Sequence, residues 1–405
     1  MVKSRIQNSI SSIRVADLLV FLIALFFFRP SLFEKYESLN MGFNLGLIAL
    51  LALYLVIASL KNKTGVTVYS CMAVGYFLLL LTSTYINDGS LTRSMMYVGV
   101  GILSVLVFAS IFKYEMAAFL NSMQVLGLIF IPLNLLTMLV IPGGFTNNGV
   151  HPVFLLGQAT RFIYFFLPIF VSLLVRDYRK GTHPSKCTIA LWICAETSLV
   201  IGQTAAGIVV VSALPLFILL LGNRFAKTLC SPPVYLAVQL TLFFILVFST
   251  LPEQTLGLLQ SLFQKDATLS SRTYIWDKVI LQTESNPQQF LFGFGVLQNN
   301  EMIALFNFVH CHNHLLQVLF NGGVVSLTIF ITLIGLSYWE LMKTNSEATS
   351  RIISFGIFLF SIALLFDTVD GVRNYYLVLL ILGSCSKYIS QCDDYSLPKL
   401  ERGDR

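Results

Sequence analysis

The chain has 405 residues, of which 56% are apolar and 11% charged. Soluble domains carry roughly a quarter charged residues, so this composition excludes a water-soluble fold and requires lipid around most of the surface. The formal net charge of +6 is small, and we attribute it to the flanks of membrane helices rather than to nucleic-acid binding. Apolar segments recur to the end of the chain, which predicts one integral membrane domain over residues 1–405.

Segments of about 20 apolar residues, the length that crosses a bilayer, follow one another along the chain. No small-residue cleavage site follows the first apolar run, so we interpret that run as a retained helix rather than a signal peptide. The segment 187–222 is too long for one span and predicts two helices that turn near Gly202-Gln203-Thr204. The twelve predicted spans are 15–28, 41–60, 65–86, 94–112, 123–141, 162–175, two within 187–222, 233–251, 315–338, 352–368 and 374–386.

The distribution of Lys and Arg gives the orientation, because loops on the cytoplasmic side carry an excess of these residues. With the amino terminus inside, 18 of the 26 Lys and Arg residues fall on the cytoplasmic side. This bias predicts an all-α polytopic protein of about twelve transmembrane helices with both termini in the cytoplasm.

Two longer segments, 142–161 and 252–313, lie on the predicted external side. In the second, between helices 9 and 10, Thr273–Thr283 and Val296–Phe306 have the mixed pattern of short amphipathic helices. Gly293-Phe294-Gly295 and Asn286-Pro287 supply turns between them. Loops this long and ordered are usually functional, so we expect 252–313 to be the catalytic loop.

The motif Val309-His310-Cys311-His312-Asn313-His314 is the strongest candidate for chemistry, since three of the five histidines of the chain fall within it. The alternating histidines could bind a metal as on a strand. A zinc site normally adds a carboxylate or thiolate, however, and only Cys311 is near in sequence. A functional cluster at the membrane surface is therefore favoured over both a metal site and purely structural histidines.

Arg272 opens the first amphipathic helix, within Ser270-Ser271-Arg272-Thr273-Tyr274-Ile275-Trp276. A guanidinium at a helix amino terminus can bind phosphate through charge-assisted hydrogen bonds. A solvated arginine beside an interfacial tryptophan is the alternative.

Other ionisable residues lie near the predicted external ends of the spans. Arg161 precedes an apolar segment and could either snorkel into headgroups or face an anionic ligand. Asp367, Asp370 and Arg373 form either a local ion pair or an acid–base group, and Arg93 belongs to the same external set of cations. Glu196, inside a span, is a weaker candidate because its depth is undefined.

Separated cations, histidines and carboxylates beside the bilayer suit a ligand whose diphosphate lies at the surface while its tail stays in lipid. The sequence has no GxxxxGK[ST] nucleotide loop. The energy for a reaction would therefore come from an activated, lipid-linked substrate.

The late external loop also carries a pattern known from one family. Ser271-Arg272-Thr273-Tyr274-Ile275-Trp276 is followed by Gly293-Phe294-Gly295 and then by His312-Asn313, with Gly323 eleven residues after His312. This arrangement resembles the O-antigen ligase and Wzy-type polymerase superfamily, whose specific motifs fall within about 270–326.

The resemblance implies a GT-C-like, metal-independent, inverting glycosyltransferase in the bacterial inner membrane, with its site facing the periplasm or cell exterior. Its donor and acceptor would be undecaprenyl-diphosphate-linked glycans, and no cofactor or metal is expected. Arg272 and His312 would be catalytic. Substrate binding would involve Arg161, Arg93, Arg373, Asn313, His310, His314, Asp367, Asp370 and Trp276.

Lipid A–core ligases of this family carry a further arginine at the turn that corresponds to Gln203-Thr204-Ala205-Ala206, where this chain has none. Gly157–Arg161 also looks more like the polymerases of O-antigen, capsule or exopolysaccharide synthesis. We therefore predict a polymerase of lipid-linked repeat units, with membrane lipid, a flippase and a chain-length regulator as partners and no nucleic acid. The alternatives are a ligase, a flippase or other transporter, and a non-catalytic membrane scaffold.

Overall fold

The computed structural model describes residues 15–147, 151–181, 183–221, 228, 230–248, 272–369 and 373–391. Helices dominate these residues, joined by one small sheet. The helices are α1 Val15–Phe27, α2 Glu37–Leu60, α3 Val68–Ile86, α4 Leu91–Tyr114, α5 Met116–Val140, α6 Phe162–Lys180, α7 Lys186–Ile201, α8 Ala205–Leu220, α9 Pro232–Phe248, α10 Arg272–Glu284, α11 Pro287–Phe292, α12 Asn299–Phe306, α13 His314–Lys343, α14 Ala348–Leu364, α15 Tyr375–Ser384 and α16 Ser386–Gln391.

The architecture is that of an α-helical polytopic membrane protein. Six helical segments within the described residues are long and apolar enough to cross a bilayer: α2, α3, α4, α5, α6 with the 3-10 turn before it, and α13. The other predicted spans coincide with shorter helices, and their number and orientation in a bilayer stay predictions. The predicted division of 187–222 is confirmed, because α7 and α8 are separate and Gln203 between them has a left-handed φ of 51°.

The centre of the helical assembly is α6. In its apolar window 78% of the residues are buried inside the protein, against 28% for α2. Phe162, Phe166 and Phe170 are fully buried on it, and α6 packs against α5 and α14. A helix that is apolar all round belongs in such an interior, whereas α2 exposes its apolar surface to lipid.

Helix α13 is broken at Gly323, which has a φ of 66°. The break leaves the carbonyls of the preceding turn without helical partners. The loop after α11 supplies them: the amides of Phe294 and Gly295 donate to the oxygens of Phe320 and Asn321, at 2.7 and 2.9 Å. A Cβ on Gly323 would lie 2.2 Å from the Leu291 oxygen. The Gly-Phe-Gly motif and Gly323 therefore fasten the external loop to α13.

The predicted helices of the external loop are confirmed as α10 and α12, the latter beginning at Asn299 rather than Val296. A third helix, α11, follows the predicted turn at Asn286-Pro287. The Asn286 side chain accepts a hydrogen bond from the Gln288 amide, and Pro287 occupies the first turn, both ordinary helix-start features. The part of the predicted catalytic loop before Arg272 lies outside the described residues.

The all-α architecture holds, with one small sheet that the sequence did not predict, in the segment 142–161 on the predicted external side. Three short antiparallel strands form there, β1 Thr146–Asn147, β2 Pro152–Phe154 and β3 Gly157–Gln158. Strands of two or three residues leave too little alternation to be predicted from sequence. The amide of Leu156 donates to the Asn134 side chain on α5, at 3.0 Å. This contact fixes the sheet to the bundle and places Arg161 directly before α6.

Candidate active site beside the external loop

The histidine motif forms a loop rather than a strand, and its core is Cys311. The Cys311 side chain is fully buried. Its amide donates to Gln317 Oε1 at 2.9 Å, and its carbonyl accepts from Trp276 Nε1 at 3.0 Å. With Cys311 fixed inward, the rings of His310 and His312 come together, with centroids 4.0 Å apart. His312 has a left-handed φ of 49°, which makes this sharp turn possible.

His314 is separated from the other two histidines. It is 4% exposed, it begins α13, and it points between the rings of Phe330 and Tyr376, with centroids 5.3 and 6.3 Å away. Neither of its ring nitrogens has a hydrogen-bond partner within the described residues. The alternating spacing in the sequence suggested a shared surface for all three, but the start of α13 turns His314 into the core.

Asn313 and Trp276, both predicted to bind substrate, are fixed by the protein itself. Asn313 is fully buried; its Oδ1 caps α13 by accepting from the Leu316 amide, and its Nδ2 donates to the Leu365 oxygen at 3.2 Å. Trp276 is 1% exposed and holds Cys311. Asn313 therefore connects the histidine loop to the end of α14, and substrate contact by either residue stays a prediction.

Asp367, just after α14, joins the histidine pair. Single donor atoms of His310, His312 and Asp367 all lie within 4.8 Å of one another. Asp367 Oδ1 also accepts from the Thr368 amide at 2.8 Å. The structure thus supplies the carboxylate that is missing near the histidines in sequence. The predicted partner Asp370 lies outside the described residues.

Arg272, at the first position of α10, lies in the same group of charges. Burial lowers the pKa of Arg272, and the charge of Asp367 raises it. The pKa of His312 is lowered from 6.5 to about 4. Burial is the largest cause, followed by the proximity of His310 and Arg272, and the charge of Asp367 opposes them. His312 is therefore a neutral imidazole at pH 7, able to accept a proton.

Two imidazoles and a carboxylate are also a ligand set for divalent transition metals. The nitrogens of His310 and His312 and an Asp367 oxygen are close enough to share one ion. Arg272 opposes this reading, because its positive charge acts on the same His312 that would hold the cation. The positive charge of Arg272 instead favours an anion beside the neutral imidazole of His312.

A cleft of about 410 Å³ opens next to this group. It is lined by residues of the predicted external side from five parts of the chain. They are Arg29, Ser31, Glu34, Asn40, Asn44, Arg93, Leu156, Arg161, Tyr164, Phe165, Val309, His310, Thr368, Val369, Arg373 and Tyr375. Three predicted arginines, Arg93, Arg161 and Arg373, thus meet in one space with His310, although they are remote in sequence.

Arg373 is 7% exposed and is anchored in the wall of this cleft. Its Nη1 donates to the oxygens of Phe27 and Arg29 at 3.1 and 2.9 Å, and its Nη2 pairs with Glu34. Within the described residues Arg373 forms its ion pair with Glu34 instead of Asp367, and a pair with Asp370 stays a prediction.

Arg29 is the arginine of the cleft that the sequence-based prediction of the site missed. It is 2% exposed, and its Nη2 donates to Asn40 and Asn44 at 2.6 and 2.7 Å. The available signal was an arginine directly after an apolar run, at the predicted external end where basic residues are scarce. Glu196 does not line the cleft; it accepts a hydrogen bond from Ser212 on α8 at 2.5 Å.

The O-antigen ligase family model matches residues 189–331. The matched segment runs from α7 into α13 and contains Arg272, His312 and Gly323, but it ends before Asp367. No curated protein and no solved structure gives a significant match. The match to the family model agrees with the motifs of the external loop and supports membership of the O-antigen ligase and Wzy superfamily.

Proposed function

We propose that the protein polymerises lipid-linked oligosaccharide repeat units at the external face of the bacterial inner membrane. The growing glycan moves from undecaprenyl diphosphate to a hydroxyl of a new lipid-linked unit. The observation that carries the proposal is the meeting of a neutral His312, Arg272 and Asp367 beside a cleft lined by four arginines. This combination suits transfer from a diphosphate leaving group to a neutral acceptor.

His312 acts as the general base in this proposal. Its lone pair accepts the proton of the acceptor hydroxyl while the oxygen attacks the anomeric carbon of the donor. Asp367 stabilises the imidazolium that forms, because its carboxylate already acts on the charge of His312. Attack from the face opposite the diphosphate inverts the anomeric centre, and no metal is required.

Arg272 stabilises the diphosphate leaving group in this proposal. As the anomeric C–O bond breaks, its electron pair goes to the diphosphate oxygen, where negative charge accumulates. A guanidinium held at the site stabilises that charge without reorganisation. Arg161, exposed at the start of α6 and lining the cleft, is positioned to share the same diphosphate.

A polymerase is favoured over a ligase because Gln203-Thr204-Ala205-Ala206 holds no arginine at the position where lipid A–core ligases carry one. The family model bears the ligase description, so transfer to lipid A–core or to protein is the second candidate. The two differ in the acceptor only, and the chemistry assigned to His312 and Arg272 is common to both.

A deletion strain tests this assignment. Gel analysis of surface glycan and lipid-linked intermediates should show single repeat units after deletion, whereas a missing ligase would leave long lipid-linked polymer. Arg272→Ala and His312→Ala should fail to restore the ladder although both proteins reach the membrane, and Arg272→Lys should restore it partly, since lysine keeps the charge but loses bidentate geometry.

The matched controls are Arg176→Ala and His151→Ala, two residues that do not line the cleft. Both should restore a normal ladder. Wild-type ladders from Arg272→Ala and His312→Ala would overturn the site assignment.

A further inference from the structure

We propose that Arg29 forms a second anion site in the cleft and holds the phosphate groups of the lipid-linked acceptor while Arg272 serves the donor. This inference rests on the proposed function for the identity of the ligand. The site itself rests on the geometry of Arg29, which neither the family match nor the predicted motifs include.

The guanidinium of Arg29 is held in place by part of its hydrogen-bond donors, and the other donors have no partner within the described residues. A guanidinium has five N–H donors. The two on Nη2 are taken by Asn40 and Asn44, and the carbon of the group lies 5.3 Å from the centroid of the Phe43 ring. Nε and Nη1 are buried and have no hydrogen-bond partner within the described residues. Buried donors are nearly always paired, so two unpaired donors on an arginine that lines the cleft indicate a partner that binds there.

The charges around Arg29 also favour an anion. Four arginines and one glutamate line the cleft, and that glutamate, Glu34, is paired with Arg373. Asn40 and Asn44 are neutral and cannot compensate Arg29. Burial, followed by repulsion from Arg373, lowers the pKa of Arg29 to about 10 despite the opposing charge of Glu34, which leaves it charged at neutral pH. A phosphate or diphosphate matches this excess of charge better than a single carboxylate.

The position of Arg29 indicates the acceptor rather than the donor. The cleft is one space that reaches from His310 and Arg161 to Arg29 and the asparagines of α2. Arg272 acts at the His312 end, where the donor bond breaks. A polymerase holds two lipid diphosphates at once, and Arg29 offers the second set of donors.

The surroundings of Arg29 also suit a lipid ligand. Asn40 and Asn44 lie in the first turns of α2, beside the exposed apolar side chains of Met41 and Leu45. α2 is the least buried of the long apolar helices. A polyprenyl tail could therefore run along α2 in the lipid while its phosphates reach Arg29.

Direct binding separates this site from the donor site. Protein in nanodiscs is titrated with inorganic diphosphate, with a polyprenyl diphosphate, and with phosphatidylglycerol as a plain anionic lipid. The wild type should bind two diphosphate groups, Arg29→Gln and Arg272→Ala should each bind one, and the double variant should bind none. Unchanged stoichiometry in Arg29→Gln would overturn the proposal. Binding of inorganic diphosphate without polyprenyl diphosphate, or equal binding of phosphatidylglycerol, would overturn the acceptor assignment.

A second experiment measures the KM for the acceptor and the KM for the donor separately. A labelled acceptor with a non-cleavable phosphonate linkage cannot act as donor. Arg29→Gln should raise the KM for this acceptor about ten-fold or more, the effect of losing hydrogen bonds to a charged group, with the donor KM unchanged. Arg29→Lys should recover part of the loss. A rise in donor KM instead would overturn the assignment to the acceptor.

The folding control is Arg351→Gln, because Arg351 is also buried, has an unpartnered Nε and donates to the Leu221 oxygen far from the cleft. It should bind two diphosphates like the wild type, which shows that losing a buried arginine does not by itself abolish binding. If the wild type transfers no glycan, the proposed function fails, and the titration still tests Arg29 as an anion site.

Discussion

The acid limb of the pH–rate profile tests the role of His312 as a base. Burial, His310 and Arg272 together lower the pKa of His312 to about 4. The base form therefore persists as the pH falls through 6.5 and is lost only near 4. At pH 5.5 an imidazole with a pKa of 6.5 is about 9% neutral, whereas one with a pKa of about 4 is about 97% neutral. Transfer at pH 5.5 should thus stay close to the rate at pH 7.5, without a ten-fold fall.

The assay measures initial rates of product formation by purified protein in nanodiscs at saturating substrate, from pH 4.5 to 8. Samples returned to pH 7.5 after each incubation separate reversible protonation from inactivation. A fall of about ten-fold between pH 7.5 and 5.5 that reverses on return, with a midpoint near 6.5, would show that the base is an ordinary exposed imidazole and would refute the role given to buried His312.

Three further outcomes follow from the geometry. Gly323→Ala should lower the midpoint of thermal unfolding, since the φ of 66° and a Cβ 2.2 Å from the Leu291 oxygen are both unfavourable. The control is Gly335→Ala in the same helix, whose Cβ meets nothing within 4 Å and which should leave the midpoint unchanged or raised. Equal effects of the two substitutions would contradict the packing described. Trp276→Phe removes the bond to the Cys311 carbonyl and should cost about 1 kcal/mol of stability with reduced turnover; unchanged turnover would remove Trp276 from the support of the site. Chelators should leave transfer intact, and loss of activity that zinc or manganese restores would instead assign a metal to the His–His–Asp group.

The helical plan was predictable because a bilayer forces a simple relation between apolar length and structure. The division of 187–222 at Gln203 and the amphipathic helices of the external loop followed from periodicity and turn residues, and both are confirmed. The strands around β2 were not predicted, because two or three residues carry no periodic signal. Their place is set by tertiary contacts, such as the Leu156 amide on Asn134.

The candidate site was predictable in its residue types but not in its grouping. His312 and Arg272 are conspicuous in sequence, whereas the neighbour Asp367 depends on how α14 packs beside α13. His314 shows the converse case: alternating spacing suggested one surface for the three histidines, whereas the start of a helix directs its ring between Phe330 and Tyr376. Its role in substrate binding stays a prediction. Arg29 escaped notice because an arginine after an apolar run is a weak signal by itself, and its partners Asn40 and Asn44 lie on the next helix.

Reconstitution with one defined substrate shows whether the protein alone polymerises lipid-linked repeat units. Purified protein in nanodiscs receives a synthetic undecaprenyl-diphosphate-linked repeat unit and nothing else. We expect dimers, trimers and longer oligomers, with one undecaprenyl diphosphate released for each new glycosidic bond, and no product from Arg272→Ala or His312→Ala. Absence of oligomers from the wild-type protein, with transfer appearing only when lipid A–core is added, would contradict the proposed polymerase and identify a ligase.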